Sequence, residues 1–79
     1  MRALTARQRQ VLLLAANGNT NAAIGQALGV SSMTVNRHLA DIYRALGARD
    51  RANAVALALR YGDLGVGDIQ LPQQQKEIA

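Results

Sequence analysis

Helix start and stop signals divide most of this sequence into four segments. Each segment opens after a residue whose side chain can cap a helix, and each is closed by a glycine. The bounding pairs are Thr5 and Gly18, Thr20 and Gly29, Ser31 and Gly47, and Asp50 and Gly62. Gln8 follows Thr5 at the spacing of a capping box. With neither an alternating strand pattern nor an internal repeat, the sequence predicts an all-α fold of four helices.

The C-terminal part of the chain differs in composition from these segments. The stretch GDLGVGDIQLPQQQKEIA, which begins at Gly62, holds three glycines, one proline and a run of glutamines. Such a composition is typical of irregular or extended chain. We therefore divide the 79 residues into one helical domain, residues 1–62, and a tail, residues 63–79, that is either flexible or packed on the fourth helix.

Charge and composition narrow the classes of function. The formal net charge is +4, which favours a polyanionic partner such as nucleic acid. The chain has no cysteine, so it forms neither a disulfide nor a thiolate metal site, in keeping with a reducing cytoplasm. No apolar run approaches the roughly 20 residues of a membrane span, and the N-terminus lacks the apolar core of a signal peptide. We expect a cytoplasmic protein, located at the nucleoid when it is bound to DNA.

The second and third predicted helices have the spacing of a helix-turn-helix. They are separated by Gly29, Val30 and Ser31, and Gly29 can adopt the positive φ that such a turn needs. Gly25 lies where the two helices must approach most closely. The predicted apolar contacts between them involve Ile24, Leu28, Val30, Val35 and Leu39. A plain helical hairpin with no DNA-binding role is the alternative.

The third predicted helix has one apolar face and one varied face. At 100° per residue, Val35, Leu39, Ile42 and Leu46 fall on the core side. The expected base contacts on the opposite face are Met33, Asn36, Arg37 and Ala40. Arginine can bind guanine through two hydrogen bonds, asparagine can bind adenine, and alanine or methionine can touch a thymine methyl group. The alternative is an ordinary solvated face, because it carries only two cations, Arg37 and Arg44.

Phosphate contacts are expected around the same helix. Ser32 and Thr34 stand at its N-terminus, where free N–H groups and the helix dipole favour an anion, and Arg44 lies on its outer face. Asp41 lies on that face as well, where Arg37 or Arg44 could pair with it from one turn away.

Residues that could support catalysis or bind a metal are scarce. His38 stands alone beside the apolar face, and we interpret it as a packed, hydrogen-bonded residue. The sequence offers no second histidine, no cysteine and no carboxylate cluster to complete a site. We therefore predict no metal, no cofactor, no catalytic residues and no enzymatic activity.

A set of positions between Leu4 and Gly62 matches a known family. They are Leu4-Thr5-x-Arg7, Val11-Leu12, Gly18, Asn21, Ile24, Leu28, Val30-Ser31, Thr34-Val35, His38, Ile42, Leu46-Gly47, Arg51 and Ala54-Val55. With these residues in register, the chain resembles the LuxR/GerE-type helix-turn-helix domain of bacterial transcription regulators. The resemblance implies four helices, with the third in the major groove of double-stranded DNA and the fourth forming a two-fold dimer.

Departures from the family pattern change the expected contacts. The family usually has glutamate at Gln8, Ala23 and Asn53, and their absence removes ion pairs with Arg7 or Arg51. Stability shifts little if those arginines are rehydrated or find other bonds, because exposed ion pairs contribute only about 0–1 kcal/mol.

Two lysines of the family pattern are also replaced. Asn36 stands where the family usually has lysine in the recognition helix, so we expect a target sequence unlike the family's common ones. Ala22 replaces a lysine of the second helix, which leaves the phosphate contact there to Thr20 and Asn21.

The fourth predicted helix, RANAVALALRY, is apolar almost all round. Ala54, Val55 and Ala58 can face the core. A second apolar face on a surface helix indicates another protein surface, so we predict a homodimer interface. Its residues would be Ala52, Ala56, Leu57, Leu59 and Tyr61. The alternative is a tail that folds back, covering this face with Leu64, Val66, Ile69 and Leu71.

Together these patterns predict a sequence-specific, homodimeric DNA-binding transcription regulator. Only three residues precede Leu4, and Met1 is among them, so we expect a stand-alone member without a receiver or small-molecule ligand domain. The alternative is that a sensor domain belongs to a longer chain. Two rival functions remain: a protein-interaction module that contacts RNA polymerase or another regulator, and a promoter reader resembling region 4 of sigma factors. The dimer-like fourth helix argues against the latter.

Overall fold

The computed structural model describes residues 4–72, which form four α-helices and a short 3₁₀ turn. The helices are α1 (Ala6–Ala16), α2 (Asn21–Leu28), α3 (Ser32–Leu46) and α4 (Arg51–Tyr61), and the 3₁₀ turn is Val66–Asp68. There is no strand within residues 4–72. The predicted all-α fold of four helices is therefore confirmed.

The helices begin and end at the predicted residues. The backbone N–H of Gln8 donates to the Thr5 hydroxyl at 3.0 Å, and the Gln8 side chain accepts from the Thr5 N–H at 2.9 Å, which completes the capping box. Side chains of Thr20, Ser31 and Asp50 likewise accept from the backbone three residues further on. The glycines that follow α2, α3 and α4 are all in the left-handed conformation.

One apolar core holds the helices together, and α3 lies at its centre. It packs against each of the other three helices. Its contribution is four buried residues, Val35, Leu39, Ile42 and Leu46. The remaining buried apolar residues are Val11, Leu12, Ala15, Ile24, Ala54, Ala58 and Leu64. Burial of a whole face fixes the rotation of α3 about its axis and leaves the opposite face exposed.

The junction between α2 and α3 depends on one buried glycine. A Cβ atom placed on Gly25 would lie only 2.5 Å from the carbonyl oxygen of Val30. The Gly25 carbonyl in turn accepts a hydrogen bond of 2.9 Å from the Val30 N–H. Gly29 turns the chain with φ of 74°. The predicted close approach at Gly25 and the positive φ at Gly29 are confirmed.

The segment after α4 returns to the end of α1. Asn17 holds it there: its side-chain N–H donates to the Asp68 carbonyl at 3.1 Å, and its side-chain oxygen accepts from the Gln70 N–H at 2.6 Å. Leu64 is buried in the core, whereas Val66 and Leu71 are 79% and 88% exposed.

The burial of the apolar tail residues bears on the alternative in which the tail folds back over α4. Ile69 is half-buried, so two of the four apolar tail residues are withdrawn from solvent and two are not. A tail that covers α4 with all four is therefore not observed. The prediction for residues 73–79 lies outside the described residues.

Candidate nucleic-acid interface

The outer face of α3 carries the residues predicted to read DNA bases. Met33 is 74% exposed, and Asn36, Arg37 and Ala40 are exposed as well. They lie together because a spacing of three or four residues returns to the same side of a helix. No acidic residue occupies the first turn of α3, so its N-terminus can receive an anion.

The start of α2 lies beside the start of α3. Asn21, Ser32, Met33 and Asn36 line one shallow depression between the two helices. Two predicted phosphate contacts and two predicted base contacts therefore border the same surface. Phosphate contacts that flank base contacts set the register of a protein on DNA.

The other predicted phosphate contacts differ in how free their polar atoms are. Thr20 is exposed, and its hydroxyl oxygen already accepts from the Ala23 N–H at 3.1 Å. Thr34 is half-buried, and its hydroxyl accepts from the Ser31 hydroxyl at 3.1 Å. Both hydroxyls use an acceptor lone pair in these bonds and keep the O–H as a donor for a phosphate oxygen, and Ser32 is exposed as well.

Arg44 is paired on the outer face of α3. Its guanidinium donates to Asp41 at 3.0 Å, and the two side chains are 76% and 44% exposed. Of the two arginines predicted as partners for Asp41, Arg44 is the one that bonds it. An exposed pair of this kind contributes about 0–1 kcal/mol, so a phosphate can compete for Arg44.

Charge is unevenly distributed along the chain. The first acidic residue in the sequence is Asp41, so residues 1–40 carry arginines and no carboxylate side chain. This span includes α1, α2 and the first part of α3. Arginines with no carboxylate side chain near them in sequence favour a polyanionic partner such as a nucleic-acid backbone.

Arg51 makes a contact that the sequence pattern did not predict. From the first turn of α4, its guanidinium donates to the Asn19 carbonyl at 2.9 Å and to the side-chain oxygen of Asn21. The only signal in the sequence was the loss of the family's three glutamates, which left Arg7 and Arg51 either hydrated or bonded elsewhere. The structure shows that Arg51 is bonded elsewhere.

The outer side of α4 carries the predicted apolar residues, together with the exposed Arg60. Ala52 and Ala56 are exposed, Leu57 and Leu59 are half-buried, and Tyr61 is 44% exposed. Ala54 and Ala58 face the core and are fully buried. The five predicted dimer residues thus remain accessible to varying degrees.

The described part of the chain offers neither a metal site nor a membrane-spanning helix. His38 is half-buried, and residues 4–72 contain no group of three or more histidine, cysteine, aspartate or glutamate side chains that could hold a metal ion. None of the helices in that range is both long and apolar enough to cross a membrane.

Known proteins resemble this chain over the same residues. The family described as "Bacterial regulatory proteins, luxR family" matches residues 2–58. The "Probable transcriptional regulatory protein SgaR" of Hyphomicrobium methylovorum is 47% identical over 57 residues, which are 72% of this chain and 27% of SgaR. The "Transcriptional activator protein BjaR1" of Bradyrhizobium diazoefficiens is 43% identical over 58 residues, 73% of this chain and 24% of BjaR1.

A solved structure shares the fold. The structure titled "VqmA bound to DPO" superimposes with a TM-score of 0.70 at 33% identity, over 76% of this chain and 30% of that one. The chain spans about a quarter of the length of the curated relatives it matches. The family match includes both helices of the helix-turn-helix and most of α4. This chain belongs to the LuxR family of bacterial regulatory proteins.

Proposed function

We propose that this chain is a sequence-specific DNA-binding transcription regulator that reads the major groove with α3 as a homodimer. The observation that carries the proposal is the division of α3 into two faces. Four apolar residues are buried on one side, while Asn36 and Arg37 stand exposed on the other. A helix held by its core face presents its outer face to a groove at a fixed angle.

Base reading follows from the chemistry of that outer face. Arg37 donates two hydrogen bonds to guanine, and Asn36 pairs with adenine through its amide. Ala40 lets the helix lie deep in the groove, and Met33 contacts a thymine methyl group. These four side chains belong to neighbouring turns, so they read adjacent base pairs.

Phosphate contacts supply affinity and orientation. Asn21 and Ser32 flank the base-reading residues, Thr20 and Thr34 stand at the starts of α2 and α3, and Arg44 exchanges Asp41 for a phosphate. Because each cation that meets a phosphate releases counterions, binding weakens as salt concentration rises. Such a protein acts in the cytoplasm, at the nucleoid.

Dimerisation uses the outer side of α4. The half-buried Leu57 and Leu59 and the exposed Ala52, Ala56 and Tyr61 form an apolar surface that a second copy covers. A two-fold dimer binds two half-sites related by the same symmetry, which are separated by about one turn of DNA or a multiple of it. The operator is therefore an inverted repeat.

Selection of bound duplexes from a random DNA pool tests this function directly. The purified protein is expected to enrich a motif with two-fold symmetry at moderate salt. A folded, helical protein that enriches no motif would contradict the proposal. A motif without symmetry would leave the reading of bases in place and exclude the dimer.

A second candidate is a protein-interaction module that contacts RNA polymerase or another regulator. The observation in its favour is the small number of cations on the outer face of α3, where Arg44 is bonded to Asp41. Binding to purified polymerase without binding to DNA would support it. A promoter reader like region 4 of sigma factors would leave the apolar side of α4 unexplained. Selection of an asymmetric, promoter-like motif would support this alternative.

A further inference from the structure

Arg51 connects two parts of the domain that are far apart in sequence. It is the first residue of α4, yet its guanidinium reaches the loop between α1 and α2. One of its N–H groups bonds the Asn19 carbonyl at 2.9 Å, and another bonds the side-chain oxygen of Asn21. The guanidinium is planar and presents its donors in a fixed fork, so the two contacts constrain each other.

The acceptors of this fork are themselves held in place. The Asn19 side chain donates to the Leu14 carbonyl at 2.8 Å, which ties the loop to the end of α1. Asn21 is the first residue of α2 and follows the Thr20 cap. Arg51 therefore bonds to a short, fixed piece of chain rather than to a mobile loop.

The bond to Arg51 determines what Asn21 can offer a ligand. A side-chain amide has one oxygen that accepts and one NH₂ group that donates. Because the oxygen is bonded to Arg51, the NH₂ group is the part of Asn21 left to meet a partner, and it has two donors. Asn21 borders the depression that also contains Ser32, Met33 and Asn36. A donor at the edge of this surface suits a phosphate oxygen.

We propose that Arg51 is a positioning residue for DNA binding, which acts by holding the Asn21 amide with its NH₂ group toward a phosphate. This inference rests on the proposed DNA-binding function. Arg51 is half-buried, and its fork is directed at Asn19 and Asn21. Its contribution to DNA affinity passes through Asn21, so the two residues act as a unit. The same side chain joins α4, the proposed dimer helix, to the start of α2.

A double-mutant cycle on DNA affinity tests this coupling. Arg51→Met and Asn21→Ala are each expected to weaken binding to the selected operator by about five- to twentyfold, and equally at all base positions. The affinity of the double variant for the operator is expected to equal that of whichever single variant binds less tightly. Losses that multiply in the double variant would overturn the inference, because independent residues contribute additively to free energy.

Arg49→Met is the matched control. It removes the same charge two residues away, at an exposed position whose backbone N–H, rather than its side chain, bonds Asn53. Its effect is expected to multiply with that of Asn21→Ala. Coupling of equal size between Arg49 and Asn21 would overturn the inference. It would show that the coupling comes from the loss of a positive charge and not from the two hydrogen bonds of Arg51.

Salt dependence separates positioning from a direct phosphate contact. The slope of log K against log salt concentration is negative. If Arg51 itself neutralised a phosphate, its removal would reduce the magnitude of this slope by about 0.9. A positioning role leaves that slope unchanged while the affinity falls. A slope of smaller magnitude in Arg51→Met would therefore overturn the inference even if the cycle showed coupling.

A conservative variant keeps the test valid if Arg51→Met fails to fold. Arg51→Lys retains the charge and loses the fork, so it is expected to bind the selected operator at least about twofold more weakly than the wild-type protein. Full affinity in Arg51→Lys would overturn the inference. The two hypotheses fail differently: a wild-type protein that selects no DNA motif overturns the proposed function, whereas independent effects at Arg51 and Asn21 overturn only this inference.

Discussion

Helices α3 and α4 are capped in the same way but are held in the domain by different means. Each begins at a side chain that accepts from the backbone three residues on, and each ends at a left-handed glycine. Yet α3 buries four large apolar residues, whereas α4 buries only Ala54 and Ala58. The large side chains of α3 fill the centre of the core, whereas the small alanines of α4 let that helix lie close to the surface of the core.

This difference indicates what each outer face is for. The core face of α3 takes up its apolar residues, so the exposed side is free to be polar and to recognise a polar ligand. In α4 the apolar residues exceed what the core covers, and Leu57 and Leu59 remain half-buried. One helix is thus suited to DNA and the other to a second protein surface.

The largest expected effect is on stability and uses the same substitution in both helices. Val35→Ala, at a fully buried position in α3, is expected to cost about 2–3 kcal/mol, from two lost methyl groups at about 0.8 kcal/mol each and a cavity term. Val55→Ala, at a half-buried position in α4, is expected to cost about 1 kcal/mol. Urea unfolding followed by circular dichroism measures both. Equal losses would show that the two helices contribute alike to the core.

The next prediction concerns base reading by α3. Arg37→Ala is expected to cost roughly 1–3 kcal/mol of binding free energy at one base position and to relax the preference there. Competition among operators that differ by single base pairs measures it. Arg9→Ala, at an exposed arginine of α1, is the control and is expected to leave the preference unchanged. Uniform weakening on all operators would instead assign Arg37 to the phosphate backbone.

A further prediction addresses the outer face of α4. Leu57→Asp combined with Leu59→Asp is expected to give a folded monomer, because two carboxylates cannot be buried in an apolar interface without a large cost. Its affinity for an inverted-repeat operator is expected to fall at least about tenfold, or about 1.4 kcal/mol. Sedimentation gives the mass, and circular dichroism checks folding. Gln10→Asp, an acid added at an exposed site on α1, is the control and is expected to leave the mass unchanged. An unchanged mass in the double variant would refute the dimer interface.

The smallest expected effect concerns the ion pair on the outer face of α3. Asp41→Asn is expected to change the free energy of unfolding by less than about 1 kcal/mol, because the pair is exposed. DNA affinity is expected to rise two- to threefold at low salt, since Arg44 is released and one negative charge is removed. Titrations at two salt concentrations measure this. A fall in affinity would mean that Asp41 orients Arg44 toward DNA.

Much of the helical framework was predictable because its causes are local. Thr5 and Gln8 bond each other three residues apart, and Gly29 needs its positive φ within a single turn. The two faces of α3 follow from the 3.6-residue period alone. The predicted base contacts are exposed for the same reason, and their role in DNA binding stays a prediction.

The positions at which each helix begins and ends, the buried face of α3 and the need for a very small residue at position 25 could all be read from the amino-acid sequence. Each of these follows from neighbours along the chain or from the period of a helix. Helix packing, by contrast, sets the contacts of Arg51 with Asn21, thirty residues away, and of Asn17 with the backbone of Asp68 and Gln70. It also places Leu64 in the core and leaves Leu71 outside. Contacts between distant residues depend on how the helices pack. A local sequence pattern cannot predict which polar atoms this packing brings together, because it describes only neighbours along the chain.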